Sequence, residues 1–197
     1  MTYHIYTTDS IVLSYKPQRE ADRIYTILTR DLGLIRAIAH GVRKESSKLR
    51  AALEPYSFSS VSLVKGKALW RVTNATLSQN LRIVLGEKKE VFKAFARALG
   101  LLSQLIIGEE KHREIHDDIE KVSRFVKNEK LDDNNAEAIE ILLVLKILYE
   151  LGYASEEEVS KNVLKAYPSS NVLEEIEASK KELVQIINHG LKVSHLT

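Results

Sequence analysis

The chain has 197 residues, is 44% hydrophobic and contains no cysteine, which excludes disulfides, thiolate zinc sites and a cysteine nucleophile and fits a reducing compartment. Its net charge is only +2, but residues 1–80 hold 12 Lys and Arg against 6 Asp and Glu, whereas residues 81–197 hold 17 against 21. A basic first part followed by an acidic second part implies two modules with different partners, and a polyanion suits the first.

In chain order, "YHIYTTDSIVLSY" (3–15) is rich in β-branched and aromatic residues and reads as a strand, with Asp9-Ser10 as a bulge or turn and Pro17 ending it. "RIYTILT" (23–29) is a second strand, closed by a turn at Gly33, and "LIRAIAHGV" (34–42) is a third. "SSKLRAAL" (46–53) reads as a short Ser-capped helix stopped by Pro55. "FSSVSLV" (58–64) and "LWRVTNAT" (69–76) form a hairpin through Gly66. Five short strands with a small helix after the third is the element order of an OB-fold. An SH3-like barrel or a five-stranded sandwich would give a similar string.

From residue 81 the apolar period becomes helical. Val91, Phe95, Ala98, Leu102 and Leu105 make one stripe, and Ile115, Ile119, Val122 and Val126 make a second on a more polar helix. Residues 136–151 form the most apolar helix, the expected centre of a bundle, ending at Gly152. Ser155 with Glu158 reads as the capping box of a fourth helix, with Pro168 after it. Asn171 with Glu174 caps a fifth, striped by Val172, Ile176, Leu183 and Ile187, with Gly190 just past its end. The predicted class is α+β: an N-terminal OB-fold over 1–80 and an all-α domain of about five helices over 81–197.

The start "MTYHIYTTDS" lacks the charged-then-apolar order of a secretory signal. The apolar stretch 139–149 carries Glu140 and Lys146 and is too short to span a bilayer. Both point to a cytoplasmic protein with no membrane partner. No glycine-rich phosphate loop or GxSxG elbow occurs, so a binding protein is the better reading than an enzyme. "HREIHDD" (112–118) places His112 and His116 four apart beside Asp117. A metalloprotease's intervening Glu is absent and no third ligand stands out, so a solvated helix face is expected and no metal.

Residues 40–50, "HGVRKESSKLR", hold Arg43, Lys44, Lys48 and Arg50 against one acid, Glu45. Taken alone, the run fits a solvated loop as well as a grip on phosphates. Lys16, Arg19, Arg23, Arg36, Lys65, Lys67 and Arg71 add cations to the same module and favour the grip. Tyr15, Tyr25, Tyr56, Phe58 and Trp70 lie in or beside strands, where rings serve either as core or as stacking platforms. Trp70, between Lys67 and Arg71, is the first candidate platform.

These residues, in this order, resemble the RecO family of bacterial recombination mediators and DNA-repair proteins. The marks are Glu20 and Asp22 before the second strand, Gly33, Gly41-Val42-Arg43-Lys44, Ser47 to Leu49, then Leu53-Glu54-Pro55, with a closing "LKVSHL" (191–196). The resemblance implies an OB-fold followed by a helical domain, binding of single- and double-stranded DNA, and annealing of complementary strands without ATP. It further implies action with RecR to help RecA replace single-strand binding protein (SSB), and contact with the SSB C-terminal tail, for which Arg82, Lys88 and Lys89 are candidates. Many family members carry a four-cysteine zinc module; here 152–167 is expected to replace it with a plain helix. No cofactor is therefore expected.

Overall fold

The computed structural model describes residues 4–129, 131 and 133–194. They divide into two compact units, one running to Val84 and including Ile107–His116, the other made of Leu85–Ile106 and the chain from Asp117 onward. Of the two ends singled out above, Tyr3 and the His195-Leu196 pair lie outside the described residues.

In the first unit, β1 (Ile5–Gln18), β2 (Asp22–Thr29), β3 (Gly33–Ala39), β4 (Ser57–Lys65) and β5 (Trp70–Asn80) pair in the order β1-β2-β3-β5-β4, and β4 returns to β1. All pairs are antiparallel except β3 with β5. This is the OB-fold arrangement, five strands of a Greek-key barrel. Strand alternation builds its core: Ile35, Ala37 and Ala39 point inward from β3 while Arg36 faces solvent. Tyr25, Ile27, Leu53, Val61 and Leu63 join them fully buried. Each such aliphatic side chain contributes about 1.5–3 kcal/mol relative to exposure.

Several local expectations are corrected. β1 runs through Pro17, which lies opposite Arg23, because the β1–β2 ladder continues to Gln18 and Asp22. Its irregularity falls between Val12 and Ser14, not at Asp9-Ser10. The Ser-capped helix over 46–53 does not form. Only Ala51–Leu53 make a 3-10 turn, with no side-chain cap, and Glu54 before Pro55 is already extended. Val42 and Leu53 are both drawn fully into the core, and the residues between them follow successive turns, Lys44 N–H to Gly41 O and Ser47 N–H to Lys44 O.

Among the described residues the chain after β5 holds seven α-helices: α1 (Leu81–Leu85), α2 (Lys89–Leu105), α3 (Arg113–Asn128), α4 (Ala136–Glu150), α5 (Lys161–Lys165), α6 (Ser170–Ala178) and α7 (Lys180–Val193). In the second unit α4 packs against α2, α5, α6 and α7. It is buried at every position from Ala138 to Leu148 except Glu140, as a helix apolar on all sides must be. One of those buried residues is Lys146, whose Nζ donates to Leu164 O at 2.7 Å and meets Asp118 Oδ2 at 3.2 Å.

Here too the boundaries differ from expectation. Ser155 and Glu158 do meet, but both bonds run one way, from the Ser155 N–H and Oγ to Glu158 Oε2, so no reciprocal capping box forms. Residues 156–159 are a turn and a bend, so 152–167 is not a plain helix, and α5 starts after Ser160, whose Oγ accepts the Val163 N–H. Ser169, not Asn171, caps α6. The single long fifth helix is broken at Ser179 into α6 and α7. Gly190 lies inside α7 and not beyond it, because that helix approaches Tyr153 so closely that an added Cβ would stand 2.8 Å from Tyr153 O.

Candidate nucleic-acid interface

Pairing register decides which side chains share a face, since residues directly opposite one another project the same way. Lys16 lies opposite Ile24, Ile24 opposite Ile38, and Ile38 opposite Arg71. One step along, Ser14, Thr26 and Arg36 form the neighbouring row. The outer surface of β1, β2, β3 and β5 thus carries Lys16, Arg36 and Arg71, all exposed, around half-buried Ile24, Thr26 and Ile38. From Lys16 to Arg71 the row crosses three strand gaps, about 14 Å at ~4.8 Å each. In OB-folds, the face of strands 2 and 3, with the loops between strands 1–2 and 4–5, is where oligonucleotides lie.

Those two loops bring further cations. Arg19 sits in the β1–β2 turn with φ +52°. Lys67 is exposed in the β4–β5 turn. β5 starts opposite Ala37 and runs parallel to β3, so the β4–β5 turn lies toward the Gly33 end, whereas the basic segment leaves β3 at the other.

Arg43, Lys44, Lys48 and Arg50 are all exposed. The root of their loop is held firmly. Asp22 at the start of β2 accepts the Gly41 N–H at 2.8 Å and pairs with His40 Nδ1 at 2.8 Å. Gly41 has φ +64°, where an L side chain is strained. Arg43 N–H reaches Ala21 O at 3.0 Å and its Nη1 reaches Arg19 O at 3.5 Å, so Arg19 and Arg43 meet. The Gly41 amide first, and then the His40 ring, hold the Asp22 carboxyl below its ordinary range.

The aromatic candidates separate by burial. Trp70 is corrected as a platform: it is 4% exposed, belongs to the barrel core, and donates its indole N–H to Glu109 at 2.8 Å. That bond, with Lys65 Nζ at 3.2 Å, keeps the Glu109 carboxyl below its usual range and engages the Lys65 charge. Tyr25 and Phe58 are also core. Tyr15 and Tyr56 remain half-buried. Arg23 is committed within the barrel, with its guanidinium 3.8 Å from the Tyr15 ring centroid and Nη1 3.3 Å from Glu54.

Other candidates are placed elsewhere. Arg82 is exposed on α1, while Lys88 Nζ donates to Val126 O at 2.8 Å and Glu129 O at 3.2 Å at the end of α3. His116 is 1% exposed, so it does not stand on a solvated face. Among the described residues no helix is long and apolar enough to cross a membrane. Sequence reasoning missed Asp22 as an anchor and Glu109 as a partner of Trp70; only Asp22, 19 residues before Gly41, stood within the recognised pattern.

Residues 1–81 match the family model described as Recombination protein O N terminal. Similar proteins include the DNA repair protein RecO of Synechococcus sp. (strain JA-2-3B'a(2-13)), 40% identical over 103 residues, covering 52% of this chain and 35% of that protein. The DNA repair protein RecO of Frankia casuarinae is 45% identical over 73 residues, covering 37% of this chain and 30% of its own length. That of Dehalococcoides mccartyi (strain ATCC BAA-2266 / KCTC 15142 / 195) is 44% identical over 77 residues, covering 39% and 30%. The match spans about a third of the length of each relative.

Proposed function

From a chain whose residues 1–81 belong to the RecO family, we propose a DNA repair and recombination mediator that binds single- and double-stranded DNA and anneals complementary strands without ATP. Residues 1–80 are its DNA-binding module, and the helical domain over 81–197 does without a four-cysteine metal module. The observation that carries this reading is the cationic outer face of β2 and β3, bounded by Lys16, Arg36 and Arg71 and flanked by Arg19, Lys67 and the loop of Arg43, Lys44, Lys48 and Arg50.

Annealing needs no bond chemistry. Two polyanions must approach, so their phosphates must be neutralised, while their base edges stay free to pair. The two rows of the sheet face suit that task, because they offer cations, two isoleucines and small hydroxyls and contain no ring. The proposed partners are RecR and the C-terminal tail of SSB, with RecA the indirect beneficiary on SSB-coated DNA.

A strand-annealing assay on SSB-coated DNA, with and without RecR, tests the proposal. Annealing without nucleotide, enhanced by RecR, is the result it requires. No binding to either DNA form at low salt, with RecR or SSB still captured, would replace it by a non-catalytic interaction scaffold.

A further inference from the structure

The lysines and arginines of the basic loop carry permanent charge, but the residue that opens the loop carries a conditional one. His40 directly follows β3, and its side chain is 56% exposed while that of its partner Asp22 is 12% exposed. The Asp22 carboxyl is ionised and can only accept, so its 2.8 Å contact with His40 Nδ1 requires the ring proton on Nδ1. Its other oxygen is held by the Gly41 N–H, so the acceptor that orients the ring is itself braced. Ring geometry turns Nε2 away from Asp22, and Nε2 has no hydrogen-bond partner among the described residues.

In the neutral ring Nε2 is a bare lone pair, which repels a phosphate oxygen. Protonation makes it a donor and changes the Asp22–His40 pair from net negative to neutral. The surroundings favour that change when an anion arrives. Arg19 and Arg43 meet beside the pair, with Arg43 Nη1 3.5 Å from Arg19 O. The Lys44 stem lies against Gly41, where it would stand 3.8 Å from an added Cβ. The acids nearby other than Asp22 are Glu20 in the β1–β2 turn and Glu45 in the loop, both exposed. From β5 comes Arg71, opposite Ile38.

Resting on the DNA-binding reading above, we propose that His40 is a proton-switched phosphate ligand. Protonated on Nε2, it donates to one backbone phosphate of the bound strand, with Arg19 and Arg43 beside it. Asp22 is the positioning residue. A phosphate at Nε2 makes the ring easier to protonate, so the complex takes up a proton and tightens as pH falls. The gain is complete once the free protein is itself protonated there, and it is lost as pH rises past the point where the complex lets the proton go.

The test uses the full chain and an oligothymidylate single strand, whose bases do not titrate near neutrality. Wild-type affinity should rise about 3- to 10-fold from about pH 8 to about pH 6, as when a phosphate makes an imidazole about tenfold easier to protonate. Calorimetry in two buffers of different ionisation enthalpy should show proton uptake on binding. His40→Asn is the deciding variant, because its amide can still donate to Asp22 in place of Nδ1 but has nothing at Nε2. In it the rise and the proton uptake should vanish. Its slope of log affinity against log salt at about pH 6 should be shallower than that of wild type by ~0.7, one phosphate contact. Equal rises in the two proteins, or no rise in a wild type that binds, overturns the proposal. A deficit of one size at both pH values also overturns it and leaves His40 as a brace of the loop. A wild type that binds no DNA at either pH overturns the DNA-binding reading as well.

Discussion

Asp22 Oδ1 accepts the backbone N–H of Gly41 at 2.8 Å. This one contact ties the β1–β2 hairpin to the root of the basic loop and leaves the loop's cations to face solvent.

A pH prediction follows from it. The Asp22 carboxyl is held below the ordinary range, first by the Gly41 amide and then by His40. A folded value below the unfolded one, near ~3.9, gives stability that is fully present above the unfolded value and lost as pH falls through the depressed one. The protection of the Gly41 and Arg43 amides, measured against the intrinsic exchange rate at each pH, should therefore stay high at neutral pH and fall only in strong acid. In Asp22→Ala the same amides should exchange fast already at neutral pH. The cations remain, so DNA affinity should drop with an unchanged salt slope; a flattened slope would count against an anchoring role.

Replacing Arg43, Lys44, Lys48 and Arg50 together by Ala tests the loop itself. If each cation engages one phosphate, the slope of log affinity against log salt for a single strand should lessen by about 3, at ~0.7 per contact. The four side chains are exposed, so thermal melting should scarcely move. Identical slopes for variant and wild type would remove the loop from the interface.

Gly190→Ala should destabilise the helical unit by about 1–3 kcal/mol, the usual cost of forcing an atom into a packed site. The new Cβ would lie 2.8 Å from Tyr153 O and 3.3 Å from Leu148 Cδ1, and backbone cannot yield as a flexible side chain can. A urea titration that shows no loss would mean α7 can shift outward freely.

Lys146 and Asp118 supply a paired comparison. Asp118→Ala strips the buried ammonium of its counter-ion and should cost about 3–5 kcal/mol. Lys146→Met should cost less, since Asp118 keeps Lys121 at 2.9 Å. Burial, opposed by Asp118, pushes the Lys146 value down. Between that lowered value and the unfolded ~10.4 the unfolded chain binds more protons, so this group makes stability rise with pH. Urea melts across the alkaline range should show the rise in wild type and its loss in Lys146→Met.

The elements were legible where their cause is local. Strand alternation in residues 34–39 and helical spacing from Val91 to Leu105 depend on near neighbours, and both segments form as their patterns require. Errors cluster where distant packing outweighs local preference. Ser46 and Ser47 begin no helix because Val42 and Leu53 are anchored in the core on either side. Ser179 splits a continuous apolar stripe in two. Gly190 looked like a terminator, but its role is to admit Tyr153 from another part of the chain.

By itself the sequence determined the basic character of the first 80 residues, the strand-then-helix order and the run of four cations, because composition and period are properties of contiguous residues. Tertiary structure alone decided that Lys16, Arg36 and Arg71 share one face, that Trp70 is spent inside the barrel, and that Tyr15 and Tyr56 line one groove. The first two of those outcomes depend on pairing register between strands, and a shift of one residue in that register would turn Lys16, Arg36, Arg71 and Trp70 to the opposite side.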